Sequence, residues 1–187
     1  MNAKTIAFTL MMGALGTALF AISYSLGQIS TSIALDFSLI GALIAGFFGG
    51  PTIGFTSGLF VGILPGIMFG PLGTGGVMGL VGLPFGKALS GLTAGLIAKS
   101  LNLGQKPHSS LLAIPATLVA YVPESIFTYA YFIALLGPEI GTPIFFTVLV
   151  KALFEVSIMS VIMAALIGNT GFSNFIRAHF KGMSTKK

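Results

Sequence analysis

Long apolar runs, separated by short polar or glycine-rich breaks, dominate the chain. A transmembrane helix needs about 20 predominantly apolar residues. Transmembrane barrel strands are shorter and alternate apolar with polar positions, a pattern that is missing here. We therefore predict one all-α transmembrane domain over residues 1–187, a bundle of six membrane helices. The six predicted spans cover residues 5–26, 33–48, 52–69, 77–98, 111–136 and 144–167.

The composition agrees with an integral membrane protein. Hydrophobic residues make up 55% of the 187 positions and charged residues only 7%, and the mean hydropathy is +1.01. Soluble domains carry about a quarter charged residues. Six spans leave no room for a separate soluble domain, and the absence of cysteine excludes disulfides and thiolate metal sites.

The positions of the basic residues predict the orientation. With the amino terminus in the cytoplasm, the loops on the opposite side contain no Lys or Arg. This asymmetry follows the positive-inside rule and predicts that both termini of this cell-membrane protein are cytoplasmic. It also accounts for the net charge of +5. The cytoplasmic basic residues are then Lys4, Lys99, Lys106, Arg177, Lys181, Lys186 and Lys187.

The first run also has features of a cleaved signal, because Lys4 precedes it and Ala18 and Ala21 form a small-residue pattern. The run is longer than the apolar region of a typical signal peptide, and its cleavage would leave an odd number of spans. We therefore interpret it as the first membrane helix.

Small residues recur at helical spacing. Glycine stands at every fourth position from Gly46 to Gly70, which predicts a smooth face where helix backbones approach closely. Pro51 predicts a tight turn between the second and third spans. Ala14 and Ala18 give the first span a similar small surface. Such surfaces serve either packing within the bundle or contact with a partner helix.

Five charged residues lie inside or at the edge of the predicted spans: Asp36, Lys87, Glu124, Lys151 and Glu155. A charge near the bilayer centre costs several kcal/mol unless it is paired or hydrated, so these residues are candidates for a functional site. We predict a polar pocket within the apolar bundle. Asp36 is placed at the outer edge of the second span, where simple hydration is the alternative.

The fifth span carries a polar face. Its polar residues follow one another at intervals of four, three, four and three, which places them on one side of a helix. This face can line a cavity for a small organic ligand, and hydrogen bonding between helices is the alternative. The residues are Thr117, Tyr121, Glu124, Thr128 and Tyr131.

Each of the two lysines within the predicted spans, Lys87 and Lys151, can have one of two roles. Lys151 and Glu155 are four residues apart and can pair along the sixth span. If Lys151 is free, it suits a ligand carboxylate or phosphate, while a glutamate suits an amine or ring N–H. Lys87 follows Gly86, but its surroundings do not match a phosphate loop. It faces the cavity or extends to the cytoplasmic surface.

The sequence carries no signature of an enzyme. Both histidines, His108 and His179, fall in predicted cytoplasmic segments, so no Ser–His dyad or histidine metal cluster is available within the membrane. We expect a non-enzymatic protein that has no cofactor, no bound metal and no nucleic-acid partner.

The chain combines three features: six short spans, Ala14-x-x-x-Ala18 in the first span, and the segment Gly50-Pro51-x-x-Gly54-x-x-x-Gly58. It resembles the substrate-binding S components of energy-coupling factor transporters. The resemblance implies a high-affinity binding subunit for a vitamin-like molecule, working with a T component and two ATPase subunits. It implies that Ala14 and Ala18 contact the T component. The implied ligand contacts are Lys87, Glu124, Lys151 and Glu155, together with Tyr121, Thr128 and Tyr131.

The resemblance also bears on the ligand. Metal-specific members resemble one another in a histidine at position two, where this chain has Asn2. Sites for thiamin and riboflavin often use tryptophan, which this chain lacks. A carboxylate-bearing ligand fits Lys151 better. The outward segments 70–76 and 137–143, rich in Gly and Pro, are expected to be lids or tight connections near the ligand.

Two other functions stay open. The protein can be a self-sufficient, proton-coupled secondary transporter in which Glu124 or Glu155 carries the proton. Alternatively, it is a structural subunit of a membrane complex, and its charges pair with another chain.

Overall fold

The computed structural model describes residues 3–26, 28–30, 33–73, 75–103 and 109–181. Within these ranges the fold is helical, with seven helices and one small antiparallel hairpin. The helices are α1 (Ala3–Leu26), α2 (Leu39–Gly49), α3 (Pro51–Phe69), α4 (Gly76–Leu101), α5 (Ser109–Leu136), α6 (Pro138–Gly168) and α7 (Thr170–Lys181). The hairpin strands are β1 (Gln28–Ser30) and β2 (Ile33–Ala34), between α1 and α2.

Five of the described helices, α1, α3, α4, α5 and α6, are long and apolar enough to cross a membrane. Their outer surfaces expose many large apolar side chains, for example Met11, Ile126 and Val150. A soluble monomer rarely exposes so much contiguous apolar surface. The prediction of a helical, multi-pass membrane protein is confirmed at this level.

The second predicted span differs from expectation. Its helix, α2, has 11 residues and is about 16 Å long, which is half of the roughly 30 Å hydrocarbon core. Residues 33–38, predicted to be helical, instead form β2, an irregular stretch and a turn. All residues of α2 from Leu39 to Phe47 are buried among the other helices.

Close packing of α3 against α4 explains the glycine repeat. A Cβ atom added at Gly54, Gly58 or Gly62 would clash with the backbone of α4 around Gly91, Lys87 and Pro84. The repeat therefore serves contacts within the bundle, the first of the two alternatives. The predicted tight turn is also present: Gly50, with φ of 91°, separates α2 from α3, and Pro51 begins α3.

The connection predicted at residues 137–143 is tight, the second of its two alternatives, but its predicted bounds are wrong. Gly137 alone, with φ of 76°, reverses the chain, and Pro138 begins α6. Proline is favourable at the first position of a helix because its φ is already helical and its missing N–H would have no partner there. We call this part of the bundle, where α3 also ends at Phe69 and α4 begins at Gly76, the Gly137 end.

A seventh helix, α7, was not predicted. The Asn169 side chain accepts a hydrogen bond from the backbone N–H of Phe172 at 2.9 Å and so caps its first turn. Phe172 also makes an edge-to-face contact with Phe48 of α2. Arg177 and Lys181 belong to α7. Three lysines of the topology prediction lie outside the described residues: Lys106, Lys186 and Lys187. His108, predicted to be cytoplasmic, also lies outside them.

Candidate functional site

Asp36 lies deep in the bundle, immediately before α2. Its Oδ2 atom accepts a hydrogen bond from Lys87 Nζ at 2.8 Å, and its Oδ1 atom accepts one from the Ser38 N–H at 2.9 Å. Lys87 lies near the middle of α4. The alternative of simple hydration is therefore wrong, because only 8% of Asp36 is exposed and its carboxylate is paired with Lys87.

Lys87 does not extend to the cytoplasmic surface. Only 4% of the residue is exposed, and its ammonium is bound to Asp36. The alternative in which this side chain reaches the membrane surface is wrong. The ion pair joins α4 to the chain that precedes α2, and it keeps both charges within protein rather than lipid.

Lys151 and Glu155 form the ion pair that their spacing allows. The Lys151 Nζ atom is 3.1 Å from Glu155 Oε1. The same glutamate oxygen accepts a hydrogen bond from the backbone N–H of Asp36. Non-helical backbone at membrane depth is tolerated only where protein or a water-filled cavity satisfies it, and Glu155 supplies part of that satisfaction.

Glu124 has different surroundings. Its Oε2 atom accepts a hydrogen bond from Ser90 Oγ at 2.5 Å. Among the residues that the structure describes, no lysine or arginine nitrogen lies within 4.0 Å of this carboxylate. Ser90 was not predicted from the sequence to belong to the site. It stands three residues after Lys87 and therefore lies on the same face of α4 as Lys87.

Two glycines of α4 create space for the side chains of α5. A Cβ atom at Gly86 would lie 3.3 Å from Glu124 Cγ, and one at Gly82 would lie 2.6 Å from the ring of Tyr131. Neither glycine was predicted from the sequence to belong to the site. Their four-residue spacing just before Lys87 was the available signal.

A cavity of about 580 Å³ unites these residues. Helices α4, α5 and α6 form most of its wall, and it extends from the charged residues toward the Gly137 end, where Leu136 and Ile140 line it. Apolar and aromatic side chains, such as Phe127 and Phe132, form much of the remaining surface. The ring of Phe127 stacks on that of Tyr131, with centroids 5.4 Å apart.

All seven residues predicted to contact a ligand line this cavity, and so does Asp36, which was not in that set. Thr117 is not among the lining residues. Its hydroxyl donates to the Ala113 carbonyl at 2.8 Å within α5. The ligand-binding roles of the seven stay predictions. They are Lys87, Glu124, Lys151, Glu155, Tyr121, Thr128 and Tyr131.

The arrangement suits the binding of a small molecule. Three carboxylates and two ammonium groups stand at one end of the cavity, and an apolar wall continues from them. In the described ranges, no group of three His, Cys, Asp or Glu side chains is placed to hold a metal ion.

The predicted partner-binding residues, Ala14 and Ala18, lie away from the cavity. Both are exposed on the outer face of α1, next to the exposed Met11 and Leu15. This face is available for a partner helix or for lipid, and contact with a T component stays a prediction.

Comparisons of the chain with protein-family models, with curated proteins and with solved structures find no match.

Proposed function

We propose that this protein is the membrane-embedded binding subunit of an uptake system, and that it captures a small, vitamin-like organic molecule in the cavity between α4, α5 and α6. The observation that carries the proposal is a cavity of about 580 Å³ with charged groups at one end and apolar walls beyond them. Ligand sites typically have volumes of about 300–1,000 Å³ and combine apolar walls with a few polar groups.

The energetic cost of the charged residues supports a functional role. Asp36, Lys87, Glu124 and Glu155 are each less than a tenth exposed. Replacing a buried ion pair with apolar residues of similar volume is often neutral or stabilising. Stability of the bundle therefore does not require these charges, whereas recognition of a polar ligand does.

We further propose that residues 33–49 complete a second membrane crossing. The six non-helical residues 33–38 can span at most about 20 Å, and α2 adds about 16 Å. With the amino terminus in the cytoplasm of a cell membrane, both termini are then cytoplasmic and the Gly137 end faces outward. The basic residues of the sequence support this orientation. The cavity would receive its ligand from outside.

The proposed partners are a T component and two ATPase subunits, as in the transporters whose S components the sequence resembles. The exposed face of α1 around Ala14 and Ala18 is the proposed docking surface for the T component. Its small side chains would let a partner helix approach closely. The chain itself then needs no catalytic group.

Native mass spectrometry of gently extracted protein tests the binding function. We expect a co-purified small molecule with the wild-type protein. Thr128→Trp should remove it, because the indole would occupy the cavity that Thr128 lines. Val119→Trp is the matched control, since Val119 is 54% exposed on the same helix. A molecule retained equally by Thr128→Trp would refute binding in this cavity.

A secondary transporter is the second candidate, and it is favoured because no lysine or arginine nitrogen among the described residues lies within 4.0 Å of the Glu124 carboxylate. A carboxylate in this setting can carry a proton. Uptake into vesicles that contain this chain alone, abolished by an uncoupler, would support that candidate. Uptake that requires the ATPase subunits and ATP would exclude it.

A further inference from the structure

We infer that the ligand is an organic cation or an amino-substituted heterocycle, and that its positive or N–H-bearing group binds Glu124. This inference rests on the proposed function, because it concerns the ligand of the same cavity. It assigns Glu124 as the recognition residue and leaves the two lysines to hold the other carboxylates.

The pairing of charges is the first step. Lys87 is bound to Asp36 at 2.8 Å, and Lys151 is bound to Glu155 at 3.1 Å. Glu124 is the third carboxylate of the cavity, and it receives the Ser90 hydroxyl as a hydrogen-bond donor. With all five groups ionised, the cavity carries one negative charge in excess, so it favours a ligand that brings positive charge.

The cost of binding an anion is the second step. Lys151 would have to leave Glu155 to bind a ligand carboxylate, or else share its ammonium between two anions. Glu155 would then keep the Asp36 backbone N–H as its donor. A cation at Glu124 breaks neither ion pair. The structure therefore favours a cationic ligand over the carboxylate-bearing ligand that the sequence suggested for Lys151.

The surroundings of Glu124 form the third step. Tyr121 precedes it by one turn and Phe127 follows by one turn, and both line the cavity. Aromatic faces attract ammonium, amidinium and similar groups in desolvated sites. The stacked pair of Phe127 and Tyr131 also offers a flat apolar surface for the body of the ligand.

The test uses three probes with the same aromatic body and different charge: naphthylethylamine, naphthylethanol and naphthylacetate. Their affinities for the full-length protein in lipid nanodiscs are measured by titration calorimetry. We expect the amine to bind most tightly to the wild-type protein. Glu124→Gln should weaken amine binding by about 10- to 100-fold, because a hydrogen bond to a charged group usually contributes that much to affinity. The alcohol should change little.

Two further variants make the result specific. Glu124→Asp keeps the charge, so it should retain the preference for the amine. Glu139→Gln removes a carboxylate at the start of α6 that is exposed and does not line the cavity, and it should leave the order of the probes unchanged. Thermal unfolding of each variant is used to check that the fold is intact. The order of the three probe affinities in the wild-type protein tests the inference without any variant.

The opposite order would overturn the inference. If naphthylacetate binds most tightly and Lys151→Met abolishes its binding, the cavity recognises anions and the binding function survives. Failure of all three probes to bind the wild-type protein would also overturn the inference. The proposed function is judged separately, by the mass of the co-purified molecule.

Discussion

Removal of one partner of the Asp36–Lys87 ion pair should destabilise the bundle strongly. Lys87→Met removes the ammonium and leaves the Asp36 carboxylate unpaired in a residue that is 8% exposed, with the Ser38 N–H still donating to it. At 2.8 Å, two unit charges attract by about 6 kcal/mol at an effective dielectric constant of about 20. Desolvation offsets part of that attraction, so breaking one partner of a buried pair typically costs about 3–5 kcal/mol.

We expect a loss near the lower limit, about 3 kcal/mol, because helices unfolded in detergent find other polar partners. Asp36→Asn should cost a similar amount, since it leaves the Lys87 ammonium buried without its carboxylate. The double variant, Asp36→Asn with Lys87→Met, leaves neither charge. It should therefore lie within about 1 kcal/mol of the wild-type protein.

The assay is reversible unfolding in mixed micelles of increasing dodecyl sulfate content, with helix content followed by circular dichroism. Lys99→Met is the matched control, because Lys99 is exposed in the last turn of the same helix. A loss below about 1 kcal/mol for Lys87→Met, or a double variant whose loss equals the sum of the two single losses, would refute the reasoning.

Three other predictions follow from the packing and the proposed orientation. Gly54→Ala should destabilise the bundle by about 1–3 kcal/mol in the same assay, because the added methyl group would clash with the α4 backbone; unchanged stability would contradict the close approach. Ala14→Trp with Ala18→Trp should abolish co-purification of a T component while leaving ligand binding intact, and continued co-purification would place the docking surface elsewhere. Because the chain has no cysteine, single cysteines report orientation: an impermeant maleimide should label Leu72→Cys in intact cells and Ser100→Cys only after permeabilisation. The reverse pattern would invert the proposed topology.

The sequence by itself determined the long helices. Within a bilayer, a backbone that is not satisfied internally is costly, so an apolar run of about 20 residues has few alternatives to a helix. The runs at 77–98 and 111–136 accordingly became α4 and α5. The glycine repeat likewise predicted a closely packed face, because only glycine lets two helix backbones approach so far. The polar face of α5 followed from helical periodicity, and all but Thr117 of its five residues line the cavity.

The tertiary structure decided how the second apolar run folds and which charges meet. A hydropathy profile reflects only the apolar character of the side chains, so a short buried helix preceded by non-helical chain gives the same signal as one continuous helix. The non-helical stretch is stabilised by a partner 119 positions away, since the Asp36 N–H donates to Glu155. The pairing of Lys87 with Asp36 has the same origin. So does the position of Glu124, which receives the Ser90 hydroxyl and forms no ion pair within 4.0 Å among the described residues. Local periodicity fixes the face of a helix on which a residue lies, whereas packing between distant helices fixes the residue that it meets.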